Sequence, residues 1–234
     1  MNRARVFLTG ASGTVGSAVL EALVAAGEFQ ADCLARRPQT FAAIEHAGGN
    51  VVRGDMTDAD LFATLAAHSR YEFIVHTAQA HYRDHSAEEI DRCERLAVSN
   101  LEKLRGPHTR LMVLTSGVWS HGAGAEGGPI TEETPLRPFA AAALRARWLH
   151  ELAASEAPWV TFYLPSMVYG TTGPVAELVR ALRDGRTVQV LDDASVRWSV
   201  IERGDLGRAY VALLRHGRAG EAFVIAEPEP VSVV

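Results

Sequence analysis

Residues 9 to 16 read Thr-Gly-Ala-Ser-Gly-Thr-Val-Gly, with glycines spaced Gly-x-x-Gly-x-x-Gly. Placed between an apolar strand and a helix, this run is a device for holding phosphate. Gly10 permits a tight turn, Gly13 lets backbone approach an anion, and Gly16 lets the helix pack closely on the strand. The unpaired N–H groups of the turn, with Ser12, Thr14 and Val15 between the glycines, then face a pyrophosphate at the positive helix end. Such an end favours an anion by about 0.3–1 kcal/mol on the surface and up to about 2 when partly buried. The plainer reading is a strand–turn–helix with incidental glycines.

A second set of residues addresses the rest of a dinucleotide. The next strand ends Cys33-Leu34-Ala35-Arg36-Arg37. An acid at that point would bind the free 2′-hydroxyl of NAD, whereas arginine suits the 2′-phosphate of NADP. Arg36 and Arg37 offer planar donor forks matched to phosphate, or else they merely solvate a turn. Asp32 lies too early in the strand and points elsewhere, so NADP(H) is expected over NAD(H). Asp55 and Met56 follow a third strand. Asp55 could accept from the adenine amino group, while Thr57 or Asp58 caps the following helix.

Three residues are candidates for proton chemistry. Ser116 follows the fifth strand and could bond a substrate oxygen, or simply close the strand end on backbone. Tyr169 has a phenol able to donate a proton, or packs in the turn before Gly170. His121 could act near neutral pH. Tyr82, with His81 and His85 nearby, could also enter the pocket. His76, His81 and His85 match no strong metal-ligand spacing, so no metal is expected. Trp119 and Trp198 read either as apolar walls for a substrate or as core. The absence of a Gly-x-Ser-x-Gly elbow argues against a serine hydrolase.

These residues need a scaffold, and the chain supplies an alternating one. Extended runs at Val6–Leu8, Ala31–Ala35, Asn50–Arg53, Phe73–Thr77, Leu111–Thr115 and Trp159–Leu164 are separated by helical patterns. That alternation predicts an α/β fold of Rossmann type, a doubly wound parallel sheet with helices on both faces. Ser86 to Glu89 forms a capping box opening a helix to about Leu104. Residues 122 to 138 read as a loop, and the next helix carries Leu144, Trp148, Leu149 and Leu152 on one face. Residues 1–164 are therefore expected to form the nucleotide-binding domain. Residues 165–234 would form a small C-terminal substrate lobe, interleaved with that core in one compact unit. Its pieces are a helix over Val175–Leu182, extended stretches at Thr187–Leu191 and Val196–Ile201, a helix over Asp205–Leu214 and a late strand at Ala222–Ile225.

Bulk composition narrows the classes. The chain has 234 residues, 47% hydrophobic and 22% charged, and a formal charge of −5. Neither nucleic acid nor an anionic membrane is an expected partner at that charge. The two cysteines, Cys33 and Cys93, lie far apart in apolar contexts and fit a reducing compartment. No signal peptide or membrane-length apolar run is readable, so a cytoplasmic location is expected.

Thr9 to Gly16, Gly54-Asp55, Val75-His76-Thr77-Ala78, Val113 to Gly122 and Pro165 to Gly170 recur in an order that resembles the short-chain dehydrogenase/reductase superfamily. The closer resemblance is to its NAD(P)-dependent epimerase/dehydratase branch, with extended and atypical members. It implies a nicotinamide cofactor, with Thr77, Ala78 and Gln79 beside its ribose and pyrophosphate and the Pro165, Met167 and Val168 backbone near the nicotinamide. Homodimers through the fourth and fifth helices are common among such relatives, making a homodimer the default.

The departures are as informative. The family uses a Ser or Thr after the fifth strand and a Tyr-x-x-x-Lys on the next helix, the lysine often four residues before a Glu. Counting back from Glu151 puts Arg147 at the lysine and Ala143 at the tyrosine. Alanine transfers no proton, and arginine is too weak an acid to take over the lysine's role. Aligning Gly122 on the family's Val-Tyr-Gly puts Gly117 at the hydroxyl position and His121 at the tyrosine. A subset of relatives shares Thr-Ser-Gly-x-Trp and this Arg, so the loss resembles a subfamily trait. The expected function is an NADP(H)-binding epimerase or reductase. It would act on a small carbonyl or hydroxyl compound, such as a natural-product or sugar intermediate, without the Tyr/Lys pair. The alternatives are a non-catalytic NADP sensor with a protein partner and a non-redox isomerase or cyclase.

Overall fold

The computed structural model describes residues 3–80, 85–122, 128–153, 156–171, 173–187 and 197–232. In chain order its first elements are β1 (Ala4–Thr9), α1 (Thr14–Ala26), β2 (Phe29–Ala35), α2 (Phe41–His46), β3 (Asn50–Arg53) and α3 (Ala59–Ala66). Next come β4 (Phe73–His76), α4 (Ala87–Lys103), β5 (Leu111–Gly117), α5 (Ala143–Ala153), β6 (Trp159–Leu164) and β7 (Met167–Tyr169). The chain continues through α6 (Pro174–Arg183), β8 (Arg197–Trp198), β9 (Val200–Glu202), α7 (Arg203–His216), β10 (Ala222–Val224) and β11 (Val231–Ser232).

Seven parallel strands form the main sheet in the order β10-β6-β5-β4-β1-β2-β3. Alternate side chains of each strand feed two cores. Val6 and Leu8 face Val19 and Leu23 of α1 and Leu206, Tyr210 and Leu214 of α7. Phe7, between them, faces the other way, toward Phe62 of α3, Leu101 of α4 and Leu149 of α5. Burial on both faces explains why the strands read as near-continuous apolar runs. The chain builds outward from β1 to β3, then returns to the other side of β1 to lay down β4. Strand order reverses there, which leaves a crevice just outside the carboxyl ends of the strands.

The helix starts follow the sequence signals. Ser86 and Glu89 make a reciprocal capping box, with Glu89 N donating to Ser86 Oγ (3.3 Å) and Ser86 N to Glu89 Oε2 (2.8 Å). Asp58 caps α3, accepting from Asp60 N and Leu61 N.

The C-terminal third differs from expectation. α7 and β10, which the sequence assigns to the lobe, are core elements: β10 pairs with β6, and α7 packs on α1. Gly207 makes the second contact possible, because a Cβ there would lie 2.5 Å from Ala18 O. The boundary at residue 164 thus falls inside the core, and α6 with the small pairs β7–β9 and β8–β11 stands outside the main sheet. The stretch Val196–Ile201 divides at Ser199, whose O accepts from Met167 N (3.1 Å) and whose Oγ accepts from Ser166 N (3.0 Å). Most of Thr187–Leu191 lies outside the described residues.

Candidate functional site

The glycine turn sits at the crevice. Gly10 has φ +77°, and a Cβ on it would lie 2.6 Å from Thr77 Oγ1 and 2.7 Å from Ala78 N. Gly13 N donates to Gly10 O (2.8 Å), closing the turn. A Cβ on Gly16 would lie 2.1 Å from Gly10 O, so α1 touches the turn backbone directly. Gly13 is the N-cap of α1, and no side chain caps the amides of the first turn. Thr77 Oγ1 donates to Thr9 O (2.7 Å), tying the ends of β1 and β4 together. Gly16→Ala must push α1 off the turn. We expect a loss of about 2–3 kcal/mol, in the range of overpacked contacts, read as a lower thermal midpoint with loss of nucleotide binding. An unchanged midpoint would refute the contact.

One side of the turn opens on a cleft of about 260 Å³. Gly10, Ser12, Arg36, Arg37, Asp55, Met56, Ala78 and Gln79 line it, together with Thr40, His85 and Cys93. Arg36 Nη1 donates to Asp55 Oδ2 (3.1 Å), and Asp55 Oδ1 accepts from Thr57 N (2.9 Å) and Thr57 Oγ1 (2.7 Å). Burial pushes the Asp55 carboxyl up, but the Thr57 bonds and Arg36 hold it below its ordinary value. Asn100 Nδ2 donates to Met56 O (3.0 Å) and fixes this loop from α4. Asp32 is buried and turned away, bonded by Arg5, by Asn50 Nδ2 (2.9 Å) and by Tyr71 OH (3.0 Å). No carboxylate therefore ends β2.

Behind the crevice lies a buried charge network that the sequence reading missed. Arg145 Nη1 lies 2.9 Å from Glu94 Oε2, and Arg145 Nη2 donates to Ala78 O (3.3 Å). Glu94 Oε1 accepts from Ala80 N (3.2 Å), and Glu94 Oε2 lies 3.8 Å from His76 Nε2. His76 Nδ1 is 2.8 Å from Thr9 Oγ1. Burial pushes the Glu94 carboxyl up, yet Arg145, His76 and Ala80 N–H hold it at about 2. Burial pushes the His76 imidazole down more strongly than Glu94 pulls it up. One carboxylate thus joins α4, α5 and the 78–80 loop. A signal was present: Glu94 lies on the same helical stripe as Ile90, Ala97 and Leu101, which are all buried.

Two of the expected site residues stand elsewhere. Arg147 is half exposed and bonds Asp91 of α4, with Glu151 3.9 Å away. Arg145, two residues or about 200° around the helix, points inward instead, so counting from Glu151 selects the wrong face of α5. His121 is 1% exposed, donates from Nδ1 to Thr134 O (2.8 Å) and packs its ring on Tyr163 with centroids 4.5 Å apart. Gly122, at φ +66°, turns the chain there and leaves the imidazole in the core. Ser116 is also buried, with its Oγ 3.1 Å from Ser120 Oγ. Pro165, Met167 and Val168 lie at and just beyond the end of β6, Met167 and Val168 pairing with β9. His81 and Tyr82 lie outside the described residues.

Tyr169 donates its OH to Glu227 Oε1 (2.5 Å), and that bond pushes its phenol up from the ordinary value. Glu227, unsuspected from sequence, lines a second cleft of about 890 Å³ together with Trp119, Phe139, Ser166 and Trp198.

A parallel sheet with a phosphate-shaped glycine turn at its switch point defines a dinucleotide-binding α/β protein. The model of the NAD dependent epimerase/dehydratase family matches residues 6–226, and the chain belongs to that family of enzymes. The structure is similar to dTDP-glucose 4,6-dehydratase from Bacillus anthracis in complex with NAD. That match has a TM-score of 0.83 and 17% identity over 98% of this chain and 77% of the other. It is also similar to UDP-glucose 4-epimerase from Bifidobacterium longum in complex with NAD+ and UDP, with a TM-score of 0.78 and 19% identity over 98% and 80%. At these identities the similarity is one of fold. No curated protein sequence matches significantly.

Proposed function

We propose that the chain is an NADP(H)-dependent oxidoreductase or epimerase of a small carbonyl or hydroxyl compound. The observation that carries this reading is the uncapped start of α1 over a turn with no room for a side chain at Gly10 or Gly16. The first-turn amides there would hold the pyrophosphate. Thr77, Ala78 and Gln79 lie alongside, and the Pro165–Val168 backbone would face the nicotinamide. NADP over NAD rests on Arg36 and Arg37 at the end of β2 and on Asp32 being turned away. The two solved structures named above carry NAD, so the NADP preference rests on this chain's own residues.

A nicotinamide cofactor held by these residues would supply or accept a hydride at a substrate carbon. The proton on the substrate oxygen then needs a partner, and α5, where the family carries its tyrosine, contains none. We assign that need to Glu227: its carboxylate would take the proton of a substrate hydroxyl in the oxidative direction and return it to the substrate oxygen in the reductive direction. Tyr169, bonded to Glu227, holds the carboxyl in place. An acid/base pair in a cleft favours turnover over a purely sensing role.

Arg36→Ala with Arg37→Ala tests the nucleotide assignment. Charge-assisted bonds contribute about 1.5–3 kcal/mol each, and Arg36 is well exposed, so the low end applies. NADPH affinity should fall by about tenfold or more while NADH affinity stays within twofold. An equal change for both would show that these arginines do not read the 2′-phosphate.

A further inference from the structure

We infer that the second cleft takes an uncharged, ring-bearing carbonyl compound or alcohol and not a nucleotide sugar. This deepens the proposed function and rests on it. Trp119 and Phe139 are 48% and 49% exposed, and both line the same cleft as Trp198. Large apolar surfaces gathered in one concavity mark a place that a ligand covers. A cleft of about 890 Å³ is of a size to enclose a ring system.

Its charges argue against phosphate. Diphosphates are recognised by several cations and N–H donors acting together. Arg197 is the cation on this cleft among the described residues, and its Nη2 already donates to Pro230 O (2.7 Å). Glu227 places a carboxylate in the same space, opposing an anion. Ser166 N donates to Ser199 Oγ (3.0 Å), and the two hydroxyls lie 3.3 Å apart, neutral groups that bring no charge to the cleft. The cleft is thus mainly aromatic wall with one acid and one arginine engaged at Pro230 O, suited to stacking a ring while Glu227 meets its oxygen.

Calorimetry on the whole chain saturated with NADP+ tests this, using 2-tetralone as the uncharged probe and UDP-glucose as the charged one. The tetralone should bind, UDP-glucose should not displace it, and Trp119→Ala with Trp198→Ala should weaken the tetralone by tenfold or more. Trp119 is half exposed, so its loss leaves the core intact, and Trp119→Phe should restore part of the affinity. The inference is overturned if the tetralone does not bind, if UDP-glucose displaces it, or if the tryptophan changes leave its affinity alone. Failure of the cofactor reading would appear separately, as absence of NADP+ binding in the preceding titration, and the tetralone titration can still be run on the free chain.

Discussion

Arg145→Ala is expected to lower stability by about 3–5 kcal/mol, because it strands the Glu94 carboxylate in the interior without its partner. Arg145 and Glu94 side chains are only 9% and 4% exposed. For a domain of this size each kcal/mol moves the midpoint by about 2–4 °C, so the variant should melt roughly 10 °C lower. Glu94→Leu with Arg145→Met removes both charges and should recover most of that loss, since a buried pair is often no better than apolar packing. Such a cycle separates the ion pair from simple truncation.

The same network fixes the sign of the acid response. Glu94 has a folded value of about 2 against an ordinary 4.5, so its contribution is full above about pH 4.5 and is lost as pH falls toward 2. His76 is also lowered, from 6.5, so acidification below that value charges it in the unfolded chain first and adds to the loss. The gap in stability between wild type and Arg145→Ala should therefore be widest near neutral pH and narrow below about pH 4.5. Denaturant midpoints across that range measure it, and a gap that widens with acid would contradict the ion-pair account.

Glu227→Gln should reduce turnover by about 10²–10⁴-fold, the usual worth of a positioned acid/base group. The amide would keep the shape of the carboxyl and accept the Tyr169 O–H but cannot transfer a proton. NADPH affinity should stay as in wild type, because Glu227 does not line the nucleotide cleft. Tyr169→Phe should give a smaller fall, as it removes only the bond that holds the carboxyl. NADPH consumption against a panel of small carbonyl compounds provides the measurement. A Glu227→Gln variant as active as wild type would remove Glu227 from the chemistry and return the proton step to the sequence candidates Tyr169 and Ser116, the latter buried beside Ser120.

The glycine turn and the strands were readable because their signals are local. Three glycines with a strand before and a helix after constrain backbone within eight residues, and β3 and β6 fall on the expected bounds. The arginines after β2 reach the cleft for the same reason. The proton chemistry was not readable, because it depends on residues distant in sequence. Glu227 meets Tyr169 across 58 positions, after β10 has joined the sheet. The count of four back from Glu151 keeps to one helix face, and here that face is the exposed one, with Arg147 and Glu151 49% and 41% exposed, while Arg145 turns inward. His121 was selected for its ring, and the turn at Gly122 then buries that ring on Tyr163. The late elements α7 and β10 were found as elements but assigned to a lobe, since nothing local says which sheet edge a short strand will join.

The central claim is that the cleft between the glycine turn and Arg36 holds NADP(H). Calorimetric titration of the purified chain with NADPH and then NADH tests it most directly. We predict saturable binding of both at one site per chain, with NADPH tighter by about tenfold or more. Absence of binding by either nucleotide, or NADH binding as tightly as NADPH, would contradict the account.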